Sequence, residues 1–301
     1  MHLSRETLET PDGDDLAVDR LEGPAGAPTL VVLHGLEGSS LSAYVQGLLR
    51  QARSRGWRGA AMNFRSCARL PSGRGSLPTR RPRLYHSGET SDLDFLLRAL
   101  REREPAGLFL AAGVSLGGNV LLKWLGEHPG QDLVARAASI SAPYDLLAGA
   151  RHLERGLGRP YAAGLLATLR RKAADVAMRF PEAAKRIDVE AAAAARTFWE
   201  FDEAATAPLH GFDGADDYYA RSSCLGFLSR VTTPTLCISA MDDPFLPAEA
   251  VSKARQAASA AVRFAVTRRG GHVGFVSGAA PWRARYWAEE AAVDWLAEAA
   301  R

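Results

Sequence analysis

Short apolar runs alternate along this chain with longer segments in which apolar residues recur every three or four positions. Residues 29–33, 57–64, 108–112, 135–141, 235–240 and 262–266 read as buried strands. Residues 41–55, closed by Gly56, read as a helix, as do residues 91–103, whose first turn carries Asp92 and Asp94 at the positive end of the helix dipole. Val120 to Glu127 lies on a further helix that stops at His128-Pro129. Residues 286–300 form a last one with Trp287, Ala291 and Trp295 on one face. Strands alternating with helices predict a mostly parallel sheet covered by helices on both faces, with right-handed crossovers. Ligands in such sheets bind beyond the carboxyl ends of the strands.

The alternation breaks between residues 144 and 223, which hold no strand-like run. Helical patterns fit residues 148–154, 161–180 and 189–198, with Ala191 to Ala195 as helix filler. The expected organisation is a core of residues 1–143 and 224–301 with a helical cap insertion at 144–223. A second irregular stretch, residues 65–85, carries Arg65, Arg69, Arg74, Arg80, Arg81 and Arg83 and no acid. It reads either as a solvated loop or as a basic mouth that attracts anionic substrates or acidic lipid headgroups.

Composition narrows the function classes. The 301 residues are 47% hydrophobic and 24% charged, enough for one large α/β domain with an insertion. A net charge of +3 gives no case for nucleic acid. Cys67, Cys224 and Cys237 are sparse and odd in number, a pattern without disulfide or zinc spacing that fits a reducing compartment. Residues 1–13 carry Arg5, Glu6, Glu9 and Asp12 rather than an apolar leader, and no run reaches the roughly 18 apolar residues of a membrane span. The expectation is a cytoplasmic protein without an integral membrane segment.

The chemistry concentrates at Gly113-Val-Ser-Leu-Gly117, where a strand-like run meets a helical one. A serine on such a sharp turn has its hydroxyl pushed out of the fold. The next N–H, that of Leu116, sits at a helix start where a developing oxyanion is favoured. A serine needs a base, and the base an orienting carboxylate, which in this layout follow along the chain as acid and then histidine. Asp242 and Asp243 end the strand at 235–240, and Gly-flanked His272 follows the strand at 262–266. Asp243, set before Pro244, is preferred, with Asp242 as the alternative. His2, His128 and His152 read as surface or capping residues, and His210 as structural or pocket-lining. In His34-Gly35-Leu36, after the first strong strand, Leu36 can supply a second oxyanion N–H because Gly35 permits close approach, and His34 braces the loop. His34 and His86 lack metal-ligand spacing. Cys67, without an elbow, reads as packing.

Taken together, Gly113-Val-Ser-Leu-Gly-Gly-Asn119, His34-Gly-Leu-Glu-Gly-Ser39, Tyr85-His-Ser-Gly-Glu-Thr-Ser-Asp92, Ala240-Met-Asp-Asp-Pro-Phe245 and Gly271-His-Val-Gly-Phe275 resemble the YheT-like branch of the α/β-hydrolases, the type 4 AB hydrolase family. Phe201-Asp202, Ala207-Pro-Leu-His-Gly-Phe212 and Asp217-Tyr-Tyr219 extend the likeness through the insertion, so that it covers nearly the whole chain. The resemblance implies the α/β-hydrolase fold, a charge relay of Ser115, Asp243 and His272, and carboxylic-ester or acyl-lipid substrates. Some eukaryotic relatives act on phospholipids or as acyltransferases. Ser66 stands where the family has glycine, and the arginine-rich loop is long.

The expected function is therefore a serine carboxylesterase for short- to medium-chain acyl esters. Leu36 and Leu116 would form the oxyanion hole, His34 and Gly35 the supporting loop, with no metal or organic cofactor. The same triad would serve an acyltransferase or phospholipase, and a non-catalytic hydrolase-fold binding protein is the other class. The expected partner is a small-molecule ester or acyl lipid, with peripheral contact to acidic lipid. The oligomeric state is not legible.

Overall fold

Residues 1–156, 158–278 and 284–300 are described by the computed structural model. Eight strands form its main sheet: β1 (Ser4–Glu9), β2 (Asp15–Leu21), β3 (Thr29–Leu33), β4 (Arg58–Met62), β5 (Phe109–Val114), β6 (Arg136–Ile140), β7 (Thr235–Ala240) and β8 (Val262–Thr267), in the order β1-β2-β4-β3-β5-β6-β7-β8. The hairpin β1–β2 pairs antiparallel and joins β4 antiparallel, and every other pairing in this sheet is parallel. The expected α/β architecture is thus the observed one.

Side-chain alternation explains how helices cover both faces. Val31 and Leu33 of β3 point into one apolar cluster, with α2 (Ser91–Arg103), α3 (Leu116–Glu127) and helix Ala248–Ala257. Leu30 and Val32 point into the other, with α1 (Ala43–Ser54) and helix Trp287–Ala297. Strands buried on both faces read as continuous apolar runs, which is why β3 and β5 are conspicuous in the sequence.

The β1–β2 hairpin is the main departure from the periodicity reading. β1 is an edge strand whose residues are exposed or half-buried, so it has no continuous apolar run to betray it. The expected helix at 189–198 is also two: Val189–Ala194 ends, and a new helix Phe198–Phe201 starts under a capping box. There the Thr197 hydroxyl accepts the Glu200 N–H and the Glu200 carboxylate accepts the Thr197 N–H, both at 3.1 Å.

Between β6 and β7 the described residues form helices and no strand. α4 (Leu146–Leu153) and α5 (Gly158–Arg179) are followed by short turns of helix, including a π-helical segment Asp202–Thr206. Leu166, Val176, Phe198, Phe201 and Tyr219 build a third apolar cluster there. Among the described residues no helix is long and apolar enough to cross a membrane.

The arginine-rich stretch is anchored by acids from elsewhere in the chain. Arg65, 3% exposed, donates to Asp92 at 2.6 and 2.8 Å, to Asp12 at 2.9 and 3.1 Å, and to Asp14 at 3.0 Å. Arg83 pairs with Asp12 at 3.0 Å and with Glu89, and Arg80 with Asp15 at 2.9 Å. Removing one member of a buried charge cluster leaves the others uncompensated. Arg65→Leu should therefore lower unfolding free energy by about 3–5 kcal/mol. Denaturant titration checks this, and a loss below about 1 kcal/mol would show that the cluster is not a clamp.

Candidate active site

Ser115 is the single residue between β5 and α3, at φ 53° and ψ −123°. A non-glycine residue held at positive φ stores local strain, and this one is fixed from several sides. Its N–H donates to the Ile140 carbonyl at 2.8 Å, and its own carbonyl accepts from Gly118 and Asn119. The flanking glycines answer to crowding. A Cβ on Gly113 would lie 2.3 Å from the Gly117 carbonyl oxygen, and one on Gly117 would lie 2.5 Å from that of His34. Any side chain at either position would push the elbow away from the sheet.

The loops after β7 and β8 bring the acid and the histidine to this turn. His272 Nε2 lies 2.9 Å from Ser115 Oγ, and His272 Nδ1 lies 2.8 and 3.1 Å from the two oxygens of Asp243. With Nδ1–H donating to the carboxylate, the Nε2 lone pair faces the serine hydroxyl. Asp243 is buried, and its Oδ1 also accepts the Phe245 N–H at 2.8 Å. The Phe245 ring stacks on His272 with centroids 4.4 Å apart. Asp242 faces away and does different work. Its Oδ1 accepts the N–H groups of Gly270 and Gly271 at 2.8 and 2.9 Å, bracing the loop that carries His272.

The loop after β3 closes the other side. Leu36 and Leu116 line the same cavity as Ser115 and His272, and neither backbone N–H has a hydrogen-bond partner among the described residues. Gly35 allows the approach, since a Cβ there would stand 3.1 Å from the Ser115 Cβ. His34 is fully buried. Its Nδ1–H donates to the Gly35 carbonyl at 2.7 Å and its Nε2 accepts the Phe64 N–H at 3.1 Å. Burial pushes its pKa down to about 4, so the ring is a neutral brace. Cys67 is also buried, and burial pushes its thiol up to about 11, away from nucleophile chemistry. His210 packs on His86 with ring centroids 4.5 Å apart, and lines a separate small void beside Tyr85.

The cavity at Ser115 has a volume of about 590 Å³. Leu36, Leu146, Leu153, Leu165, Phe198 and Phe245 dominate its wall, and no arginine lines it among the described residues. Of the arginine-rich stretch, Arg65, Arg80 and Arg83 are paired with carboxylates of the turn between β1 and β2, of the start of β2 and of the start of α2.

One wall residue is missed by reasoning from the residues. Asp202, quoted only within the resemblance, is buried in the cavity wall at the head of the π-helical segment. Its two oxygens accept the hydroxyls of Tyr219 at 2.7 Å and Thr206 at 2.5 Å. Burial pushes its carboxyl up to about 6. The folded state thus holds this proton more tightly than the unfolded chain, and the group costs stability as pH rises from about 4 to 6. Asp202→Asn removes that cost. The melting temperature of the variant, measured relative to the unaltered protein, should rise between pH 4 and 7 and then level off. A difference that is flat with pH would contradict the shift.

Residues 28–279 match the model of the family described as alpha/beta hydrolase fold. YheT of Escherichia coli (strain K12), provisionally named an esterase, is 40% identical to this chain over 97% of it and 84% of the relative. Phospholipase ABHD3 of Mus musculus is 30% identical over 93% of this chain and 68% of its own length. Among solved structures, the Pyrococcus furiosus esterase Pf2001 shares the fold with a TM-score of 0.57 at 15% identity, covering 90% of this chain and 85% of that one.

Proposed function

The chain belongs to the α/β-hydrolase family, in its YheT-like branch, and on that footing we propose that it is a serine carboxylesterase. One observation carries the reading: Ser115 Oγ, His272 and Asp243 stand in hydrogen-bond series, at 2.9 and 2.8 Å, with Ser115 and His272 on the wall of an apolar cavity. Ser115 Oγ attacks the ester carbonyl as His272 Nε2 takes its proton. The N–H groups of Leu36 and Leu116, which have no other partner among the described residues, receive the oxyanion. Asp243 holds the imidazole in the reactive tautomer and stabilises its charged form. Collapse of the tetrahedral intermediate breaks the bond to the alcohol, which leaves with the proton from His272. Water, deprotonated by the same nitrogen, then releases the acid and restores Ser115.

Residues 144–223 act in this reading as a cap, and residues 1–143 with 224–301 as the hydrolase core. α4 and α5 supply Leu146, Leu153 and Leu165 to the cavity wall, which supports an apolar acyl group as occupant. A volume of about 590 Å³ suits short to medium acyl chains. Three free, buried cysteines support a cytoplasmic setting. The test is an ester panel of graded acyl length, run with and without an alcohol acceptor. Hydrolysis with an optimum below long-chain acyl groups is expected. Transfer to the alcohol outrunning release of free acid would make the protein an acyltransferase, and no turnover of any ester would overturn the proposal.

A further inference from the structure

Glu37 follows Leu36 in the loop after β3, and its backbone is the least comfortable in that loop. Gly38 N–H bonds the Gly35 carbonyl at 3.0 Å, closing a turn with Leu36 and Glu37 at its centre. Glu37 has φ 55°, at the central position where a turn with positive φ ordinarily takes glycine or asparagine. The surroundings hold it there. The Tyr85 hydroxyl accepts the Glu37 N–H at 2.8 Å and donates to Glu37 Oε1 at 2.7 Å. Lys172 Nζ, reaching over from α5, donates to the same oxygen at 2.8 Å. Lys172 also stands 5.2 Å from the centre of the Tyr85 ring and 3.2 Å from Cys67 Sγ. The Glu37 and Lys172 side chains are only 7% and 14% exposed.

We infer that Glu37 is a positioning residue, clamped by Tyr85 and by Lys172 of α5, that keeps the Leu36 N–H aimed at the oxyanion. The inference rests on the esterase reading, because it needs Leu36 to be an oxyanion donor. The physical argument is one of competing conformers. Without its clamp, a glutamate at this position relaxes toward negative φ, which turns the Leu36–Glu37 peptide and shifts the loop packed on the elbow. α5 lies in the insertion while Glu37 lies in the core, so the insertion helps set the catalytic geometry as well as lining the cavity.

The experiment separates the turn from the side chain. Glu37→Ala, made alone and together with Lys172→Met, removes the carboxylate from the clamp, leaves the Tyr85 bond to the backbone N–H, and keeps a residue that disfavours positive φ. The double variant Glu37→Gly with Lys172→Met removes the clamp and its unpaired charge, but glycine holds positive φ freely. Expected are a kcat at least about 10-fold lower for Glu37→Ala with KM little changed, and recovery of most of that loss in the double variant. A trifluoromethyl ketone of matched chain length, which forms an oxyanion on the serine, should lose affinity in Glu37→Ala in parallel with kcat. The corresponding ether, which forms none, should bind as before. Full kcat in Glu37→Ala overturns the inference, as does a Glu37→Gly double variant no better than Glu37→Ala with Lys172→Met, or equal weakening of ketone and ether. If the unaltered protein forms no ketone adduct that depends on Ser115, the esterase reading falls and this inference with it. An adduct unaffected by Glu37→Ala removes this inference alone.

Discussion

Ser115→Ala should lower kcat for ester hydrolysis by about 10⁴-fold or more while leaving the fold intact. The size follows from the role. In the proposed mechanism the hydroxyl oxygen bonds the acyl carbon, and without it only water attack helped by the oxyanion donors remains. Stability should hardly change, because Ser115 Oγ gives up one hydrogen bond among the described residues, to His272, and alanine adopts the same backbone with the same strain. Two measurements check it together. A fluorophosphonate should label the unaltered protein, with the adduct mapped to the peptide holding Ser115, and labelling should vanish in the variant. Activity surviving in the variant, or an adduct on Cys67, would sink the assignment of the nucleophile.

The second large effect separates two adjacent acids. Asp243→Asn should lower kcat by about 10³- to 10⁴-fold, because an amide facing His272 Nδ1 can donate to it and so favours the tautomer with its proton on Nε2. That tautomer cannot accept from Ser115. Asp242→Asn should cost about 10-fold at most. It weakens two bonds to the Gly270 and Gly271 N–H groups, loosening the loop that carries the histidine without changing its tautomer. If the two losses came out reversed, Asp242 would be the acid of the relay.

How far the chain can be read without coordinates depends on whether a signal is local. The strands buried on both faces announce themselves, as Leu30-Val-Val-Leu33 does, and residues 91–103 and 235–240 come out with the bounds the pattern predicts. The elbow is local too, because a strand, a glycine-flanked serine and a helix lie within a few residues. Choosing between Asp242 and Asp243 is not local. Both end the same strand, and only the course of two loops decides which carboxylate meets His272. Asp202 is hidden for another reason: it sits in an alanine-rich helical stretch, where a π-helical turn rotates it into the cavity wall. Arg65, Arg80 and Arg83 look unopposed because most of their partners, Asp12, Asp14, Asp15 and Asp92, lie in other elements of the chain. Charge counted within a segment says nothing about charge delivered by sheet pairing.

That pairing gives the first hairpin a further importance. β2 lies along β4 from Val18–Met62 to Leu21–Gly59, and the aspartates of the turn between β1 and β2 hold Arg65 just beyond β4. Residues 28–279 carry the family match without it, which makes a cut before β3 look harmless. Such a cut would leave β4 as an open edge, Arg58 followed by glycine, alanine and methionine, with the backbone donors and acceptors on that side free and Arg65 deprived of two of its three acids. A mostly apolar, unprotected edge of that kind is a template for a strand from another molecule. The hairpin is therefore what keeps the sheet from growing, and a shortened chain should fail first by self-association.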